Sequence, residues 1–173
     1  MKSKSKNILP IFLILSLASV FVFLIISRRP QTNTTTSVSF PKIDQNKFNK
    51  TLFVGDNKIK AAIADDPEET RIGLSDTKEL CEDCGMYFDL GYKDTIPTFW
   101  MKDMSFPIDI IWIDDGKIVD ITKNIPAPEP GMNDAELPRY RPSHVVDNVL
   151  EVNAGYSDQL GIQIGDTIIL TEK

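Results

Sequence analysis

Histidine, cysteine and positive charge are all scarce in this sequence. Its 173 residues include one histidine and two cysteines, too few for a histidine-rich metal cage or a scaffold of many disulfides. From residue 31 onward, 14 basic residues face 25 acidic ones, which gives this part a net charge of −11. Because phosphate recognition requires a basic face, we expect no nucleic-acid partner.

One long uncharged segment stands near the N-terminus. The 19 residues from Ile8 to Ile26 contain no charged side chain, and a helix of that length spans about 28 Å, close to the thickness of a bilayer core. A cleaved signal peptide is the alternative, with Ser16-Leu17-Ala18 as its small-x-small site. The apolar run is longer than the core of a signal peptide, so we favour an uncleaved signal anchor.

The sequence divides into four predicted parts. Residues 1–7 form a cytoplasmic stub, 8–26 a transmembrane helix, 27–47 a flexible Ser/Thr-rich linker, and 48–173 a single β-rich extracytoplasmic domain. Three lysines precede the apolar run and two arginines follow it, which favours a cytoplasmic N-terminus. We therefore predict a single-pass protein of the cell membrane, with its C-terminal domain outside the cytoplasm.

The domain has the pattern of short strands separated by turns. Gly55-Asp56-Asn57 and Asp114-Asp115-Gly116 predict hairpins, and Asp66-Pro67 predicts the start of a short helix. Thr98–Met101 predicts a further strand, whereas five prolines within 125–142 predict a long loop. The expected fold is mainly β: a compact antiparallel β sandwich or barrel with two or three short helices, preceded by the transmembrane helix.

The apolar positions of the predicted elements supply the expected core. Truncation of one of these side chains to alanine is expected to cost about 2–5 kcal/mol. They are Phe53, Ile63, Leu74, Phe88, Ile110, Trp112, Val119, Leu150 and Ile168.

Two carboxylates within apolar strands suggest a ligand site. Asp109 opens the most hydrophobic strand, and a buried carboxylate needs a partner, for which the planar guanidinium of Arg71 is well suited. Trp100 and Lys102 share one side of their predicted strand and offer a flat apolar surface and a donor. We therefore predict that Arg71, Trp100, Lys102, Asp109 and Glu151 line one pocket for a small polar, carbohydrate-like ligand.

Other interpretations of the same residues remain open. Strand alternation could point Glu151 to water, or Asp109 and Glu151 could act as paired carboxylates of a hydrolase. The proline-rich loop could instead make the chain a non-catalytic partner-binding envelope module. We favour a binding protein without enzymatic activity, assign no catalytic residue, and predict neither a cofactor nor a metal.

Cys81 and Cys84 form a second group of candidate functional residues, with Glu82 and Asp83 between them. Outside the cytoplasm the expected state is a local disulfide. A redox-active pair would require a depressed thiol pKa, which the two intervening acids oppose. A zinc site would need further ligands, such as His144 and a carboxylate, and free thiols are the remaining alternative.

Six segments in this order and spacing resemble domain of unknown function family 192, also called uncharacterised protein family 0127. The resemblance runs from about Phe53 to Leu170 and implies a compact, mostly β domain, often exported or membrane-anchored, with no established reaction. The chain departs from the family pattern at Ser75, at Asp103-Met104 and in having the cysteine pair. The segments are Arg71-Ile72-Gly73-Leu74, Gly85-Met86-Tyr87-Phe88, Phe99-Trp100-Met101-Lys102, Pro107-Ile108-Asp109-Ile110-Ile111, Val149-Leu150-Glu151-Val152-Asn153-Ala154-Gly155 and Gly161-Ile162-Gln163-Ile164-Gly165-Asp166.

Overall fold

The structure, a computed structural model, describes residues 45–171. The predicted cytoplasmic stub, the predicted transmembrane helix and nearly all of the predicted linker lie outside these residues. Within 45–171, no helix is long and apolar enough to cross a membrane.

Seven strands form a single sheet in the order β5-β4-β6-β3-β2-β1-β7. Two short helices accompany the sheet, and a 3-10 turn precedes it. The elements are the 3-10 turn Gln45–Lys47, β1 Lys50–Val54, β2 Asn57–Ala64, α1 Pro67–Ile72, β3 Cys84–Asp89, β4 Ile108–Asp114, β5 Lys117–Ile125, β6 Asn148–Asn153, α2 Tyr156–Gln159 and β7 Ile168–Thr171.

The sheet curls into a half-barrel. Its two edge strands approach each other where Ile118 N donates to Asp166 O at 2.9 Å and Ile168 N donates to Gly116 O at 2.9 Å. The expectation of a mainly β, barrel-like fold with two short helices is thus confirmed. The sheet is not wholly antiparallel, however, since β2 and β3 run parallel. The connection that carries α1 returns the chain to the same end of the sheet, as a parallel pair requires.

Each face of the sheet carries its own hydrophobic cluster. The Trp112 face is built around Met86, Phe88, Ile110, Trp112 and Val149. The Leu150 face is built around Leu52, Ile59, Ile111, Leu150 and Val152. Because β4 and β6 are buried on both sides, neighbouring residues of these strands belong to different clusters. Which face a side chain occupies therefore decides its surroundings.

Local sequence explains the turns and the helix start. Asp115 and Gly116 have φ angles of 50° and 73°, the left-handed pair that a tight hairpin turn between β4 and β5 requires. The Asp66 carboxylate accepts hydrogen bonds from the backbone N–H groups of Glu68 and Glu69, both at 2.8 Å, and so caps α1. These sequence predictions are confirmed.

The predicted strand Thr98–Met101 is wrong. This segment makes a single β-bridge, between Phe99 and Tyr140, and continues as an irregular loop. The bridge joins it to the proline-rich loop, which has few free N–H groups to extend a ladder.

The predicted core is largely confirmed. Leu74, Phe88, Ile110, Trp112, Leu150 and Ile168 are buried. Phe53, Ile63 and Val119 are partly buried.

Candidate functional site

A cleft opens on the Trp112 face, beside α1. Its volume is about 390 Å³, within the range of small-molecule sites. We call it the Glu151 cleft, because Glu151 is its most deeply buried charged residue. Its walls are residues 70–75, Phe88, Leu90, Tyr92, residues 97–100, Met104 and Glu151.

Glu151 reaches the cleft from β6. It stands directly across from Met86 on β3 and from Ile110 on β4, so its side chain lies on the Trp112 face. The residue is only 5% exposed, and no residue within 45–171 pairs with its carboxyl group. Burial raises the pKa of Glu151 to about 8, so the protonated form predominates at neutral pH.

Trp100 forms part of the opening and is 36% exposed. The Arg139 guanidinium carbon lies 4.1 Å from the centre of the Trp100 ring, and Lys102 Nζ lies 5.6 Å from it. Arg139 also donates hydrogen bonds to the carbonyl oxygens of Asp134 and Leu137. The cation–π contact therefore ties the proline-rich loop to the indole.

Phe99 fixes the aromatic wall to the core. Its ring packs edge-to-face against Phe88 at 5.1 Å and against Trp112 at 5.5 Å. Its backbone N–H and carbonyl both bond to Tyr140, each at 2.9 Å. The neighbouring Trp100 is thereby held by a rigid segment even though it is not in a strand.

Arg71 lies at the outer edge of the cleft, where its side chain is 58% exposed. Arg71 Nε and Nη2 donate to the two carboxylate oxygens of Glu68, at 2.9 Å and 2.6 Å. This bond lowers the pKa of Glu68 and raises that of Arg71. The guanidinium charge at the opening is therefore already offset by a carboxylate.

A family model covers most of the described domain. The model for DUF192, described as an uncharacterized ACR, matches residues 50–170. The chain belongs to DUF192. The family suggested by the sequence is thus confirmed, and no curated protein matches the chain.

Two solved structures resemble the DUF192 domain. A protein from Sinorhizobium meliloti 1021, described as a "putative transcription regulator", is 27% identical, with a TM-score of 0.60 over 70% of this chain and 91% of that one. A protein of unknown function from Novosphingobium aromaticivorans DSM 12444 is 25% identical, with a TM-score of 0.61 over 69% of this chain and 83% of that one. Neither description states a ligand.

Of the five residues predicted to line one pocket, Arg71, Trp100 and Glu151 line the Glu151 cleft. Lys102 does not. Its ammonium contacts both carboxylate oxygens of Asp134 at 2.6 Å, and it lines a second cavity of about 400 Å³ beside the proline-rich loop. The chain turns between Trp100 and Lys102 instead of continuing as a strand, and Lys102 Nζ lies over the Trp100 ring at 5.6 Å without lining the cleft.

Asp109 is also absent from the cleft, and the predicted Arg71–Asp109 pair is wrong. Asp109 is fully buried on the Leu150 face. Its carboxylate accepts hydrogen bonds from Asn124 N at 2.8 Å, Gly155 N at 3.1 Å, Ser157 N at 3.2 Å and Ser157 Oγ at 2.6 Å. The donors from β5 and from the start of α2 thus supply the partners that the sequence predicted from Arg71.

Cys81 and Cys84 are joined by a disulfide at the start of β3. Within 45–171, Cys81, Asp83 and Cys84 are the one group with atoms close enough to hold a metal, and the disulfide occupies both sulfurs. Asp83 pairs with Lys60 Nζ at 2.8 Å. His144 contacts Ser143 Oγ at 2.9 Å, which gives no support to its expected alternative role as a zinc ligand.

Sequence reasoning missed several residues of the cleft. Tyr92 and Phe99 line it, and Arg139 stacks on Trp100. For Phe99, the sequence feature that could have indicated a place in the cleft was the pair of adjacent aromatic residues at 99–100. No local pattern connects Arg139 to Trp100, because the two residues are brought together only by the path of the proline-rich loop.

Proposed function

We propose that this DUF192 domain binds a small polar, carbohydrate-like ligand in the Glu151 cleft. The observation that carries the proposal is the Glu151 carboxyl group, which is buried without a partner in the described part of the chain. The residue keeps 5% exposure, so a ligand in the cleft can hydrogen-bond to the carboxyl group. Each such bond contributes about 0.5–1.5 kcal/mol.

The chemistry of the cleft suits a ligand with hydroxyl groups. A protonated carboxyl group donates one hydrogen bond and accepts others, which matches a hydroxyl that also does both. Trp100 and Phe99 offer the flat apolar surface on which sugar rings pack. The volume of about 390 Å³ is large enough for a monosaccharide-sized molecule.

A hydrolase that uses Asp109 and Glu151 is not supported. Asp109 pairs with Val152 across β4 and β6, whereas Glu151 pairs with Ile110, so the two carboxyl groups lie on opposite faces of the sheet. They cannot flank one scissile bond, as the general acid and base of a glycosidase must.

Two other functions, a partner-binding module and a nucleic-acid-binding protein, receive less support from the described residues. Within the proline-rich loop 125–142, the exposed large apolar side chain is Met132, at 37%, which is a small area for a partner interface. One structural neighbour is described as a "putative transcription regulator", but the net charge of −11 beyond residue 30 opposes direct contact of this chain with nucleic acid.

We further propose that the domain is tethered to the outer side of the cell membrane by residues 8–26. The support is the length of the uncharged segment and the charges that flank it. Sodium carbonate extraction of membranes tests this proposal. The full chain is expected to stay in the pellet, and recovery of a soluble form that begins near Ser19 would contradict the anchor.

Ligand binding can be tested with the two tryptophans of the chain. Trp100 lines the cleft, whereas Trp112 is fully buried and donates its indole N–H to Thr122 Oγ1 at 2.9 Å. In a titration with a panel of monosaccharides, the indole NMR signal of Trp100 is expected to shift while that of Trp112 stays in place. If no sugar in the panel shifts the Trp100 signal, the proposed function is wrong.

A further inference from the structure

We infer that the ligand of the Glu151 cleft carries a protonated amine, which pairs with the Glu151 carboxylate among the aromatic rings. The inference rests on the proposed function and names the ligand class: an organic ammonium on a small polar framework, such as an amino sugar. It is drawn from the position of Glu151, the aromatic walls and the charges that face the cleft.

The walls of the cleft favour a cation. Phe88, Tyr92, Phe99 and Trp100 all line it together with Glu151. Aromatic rings attract cations through their negative faces, most strongly where water is excluded. A carboxylate among several rings is therefore the combination that ammonium groups prefer, whereas a neutral polyol would gain only hydrogen bonds and stacking.

Few charges compete with Glu151 inside the cleft. The other titratable residues that line it are Arg71 and Tyr92. Lys102 and Arg139 do not line the cleft but stand over the Trp100 ring at its opening, where Lys102 pairs with the Asp134 carboxylate and Arg139 bonds to the Asp134 carbonyl oxygen. Arg71 is neutralised by its two contacts with Glu68, and Tyr92 is 59% exposed. The facing residues on the neighbouring strands, Met86 and Ile110, carry no charge. The net charge of −11 beyond residue 30 also favours the approach of a cation to the domain.

Binding of an ammonium ion must release a proton. Without a ligand, burial raises the pKa of Glu151 to about 8, so the protonated form predominates at pH 7. Pairing with an ammonium stabilises the carboxylate, and the proton from the Glu151 carboxyl group passes to the buffer. A neutral hydroxyl ligand leaves the carboxyl group protonated and releases no proton.

Three sugars that differ only at carbon 6 provide the matched probes. These are 6-amino-6-deoxyglucose, glucose and glucuronate, which present an ammonium, a hydroxyl and a carboxylate on the same ring. Calorimetry at pH 7 in phosphate and in MOPS, neither of which carries a primary ammonium group, measures proton release, because the two buffers differ in ionisation enthalpy. We expect the amino sugar to bind most tightly, with release of close to one proton, and to shift the Trp100 indole signal.

The variant Glu151→Gln retains the shape of the side chain but cannot become negative. It is expected to weaken binding of the amino sugar by about 30-fold or more and to abolish proton release, with little change for glucose. Glu79→Gln, an exposed glutamate outside the cleft, is the control and should behave as the wild type. Urea unfolding of both variants verifies that each is folded.

The outcomes separate this inference from the proposed function. If glucose or glucuronate binds as tightly as the amino sugar, or if the amino sugar binds without proton release, the ammonium inference is wrong while the proposed function stands. If none of the three probes binds, the ammonium inference is also wrong, and the wider sugar panel decides the proposed function.

Discussion

Asp109 and Glu151 are two buried carboxyl groups on neighbouring strands, one register position apart and on opposite faces of the sheet. Asp109 accepts hydrogen bonds from four donors in its own chain. Glu151 has no such partner within residues 45–171. Burial alone therefore does not distinguish a structural acid from a candidate ligand-binding acid, whereas the presence or absence of hydrogen-bond donors does.

The two faces differ because different segments cover them. On the Leu150 face, α2 begins directly over Asp109 and presents backbone N–H groups to it. On the Trp112 face, irregular loops pack over the sheet, and a cleft remains between 97–104 and the segment that follows α1. The N–H groups at a helix start donate hydrogen bonds that stabilise the charged form of a carboxylate. The apolar loops around Glu151 within residues 45–171 offer no such donors, so its neutral, protonated form has the lower free energy.

Removal of the Asp109 carboxylate is expected to produce the largest loss of stability. Asp109→Ala leaves four donors without an acceptor, two of them on the buried Ser157, and we expect the free energy of unfolding to fall by about 4 kcal/mol. Urea denaturation followed by circular dichroism measures this change. Asp114→Ala, at the partly exposed end of the same strand, is the control. Equal urea midpoints for the two variants would contradict a structural role for Asp109.

Glu151 is expected to make stability depend on pH in a defined window. Its pKa is raised in the folded state to about 8, above the value of about 4.3 in an unfolded chain. The folded protein therefore holds a proton that the unfolded chain releases, and stability falls as the pH rises between these two values. Between pH 5 and pH 7.5 the expected loss is about 3 kcal/mol.

The variant Glu151→Gln isolates this contribution. It should remove most of the decrease in stability between pH 5 and pH 7.5, while Glu79→Gln should retain it. Other carboxyl groups do not obscure the comparison, because the pKa values of Glu68, Asp83 and Asp120 are lowered, which places their effects at more acidic pH. Parallel pH profiles for wild type and Glu151→Gln would show that Glu151 titrates normally.

The sequence was sufficient to predict the hairpins and the start of α1, since these depend on local residues such as Asp66, Asp115 and Gly116. It was not sufficient to predict the partner of Asp109. The run Ile110-Ile111-Trp112-Ile113 is apolar at every position, so alternation could not reveal which residues share a face. The donors at Gly155 and Ser157 lie more than 40 residues away along the chain, and only the register of β4 and β6 brings them close.

Trp100 is expected to contribute little to stability and much to binding. It is partly exposed and its clearest contacts are with Arg139 and Lys102, so Trp100→Ala should cost only about 1 kcal/mol. The same variant should abolish binding of any sugar that shifts the Trp100 indole in the wild type. Arg139→Gln, which removes the cation–π contact but keeps the indole, is the matched control. Sugar affinity of Trp100→Ala equal to that of the wild type would exclude the indole as a binding surface.

Substitution of Arg71 should give the smallest effect. Whether it strengthens or weakens ligand binding tests the charge of the ligand. The Arg71 side chain is exposed and its partner is the exposed Glu68, so Arg71→Gln is expected to leave the urea midpoint unchanged. Removal of a positive charge at the opening should strengthen binding of 6-amino-6-deoxyglucose by about two- to threefold, because screening by salt limits the effect at the surface. Lys78→Gln, an exposed change outside the cleft, serves as the control. Weaker binding of the amino sugar by Arg71→Gln would instead mean that the guanidinium contacts the ligand directly, through donors now bonded to Glu68.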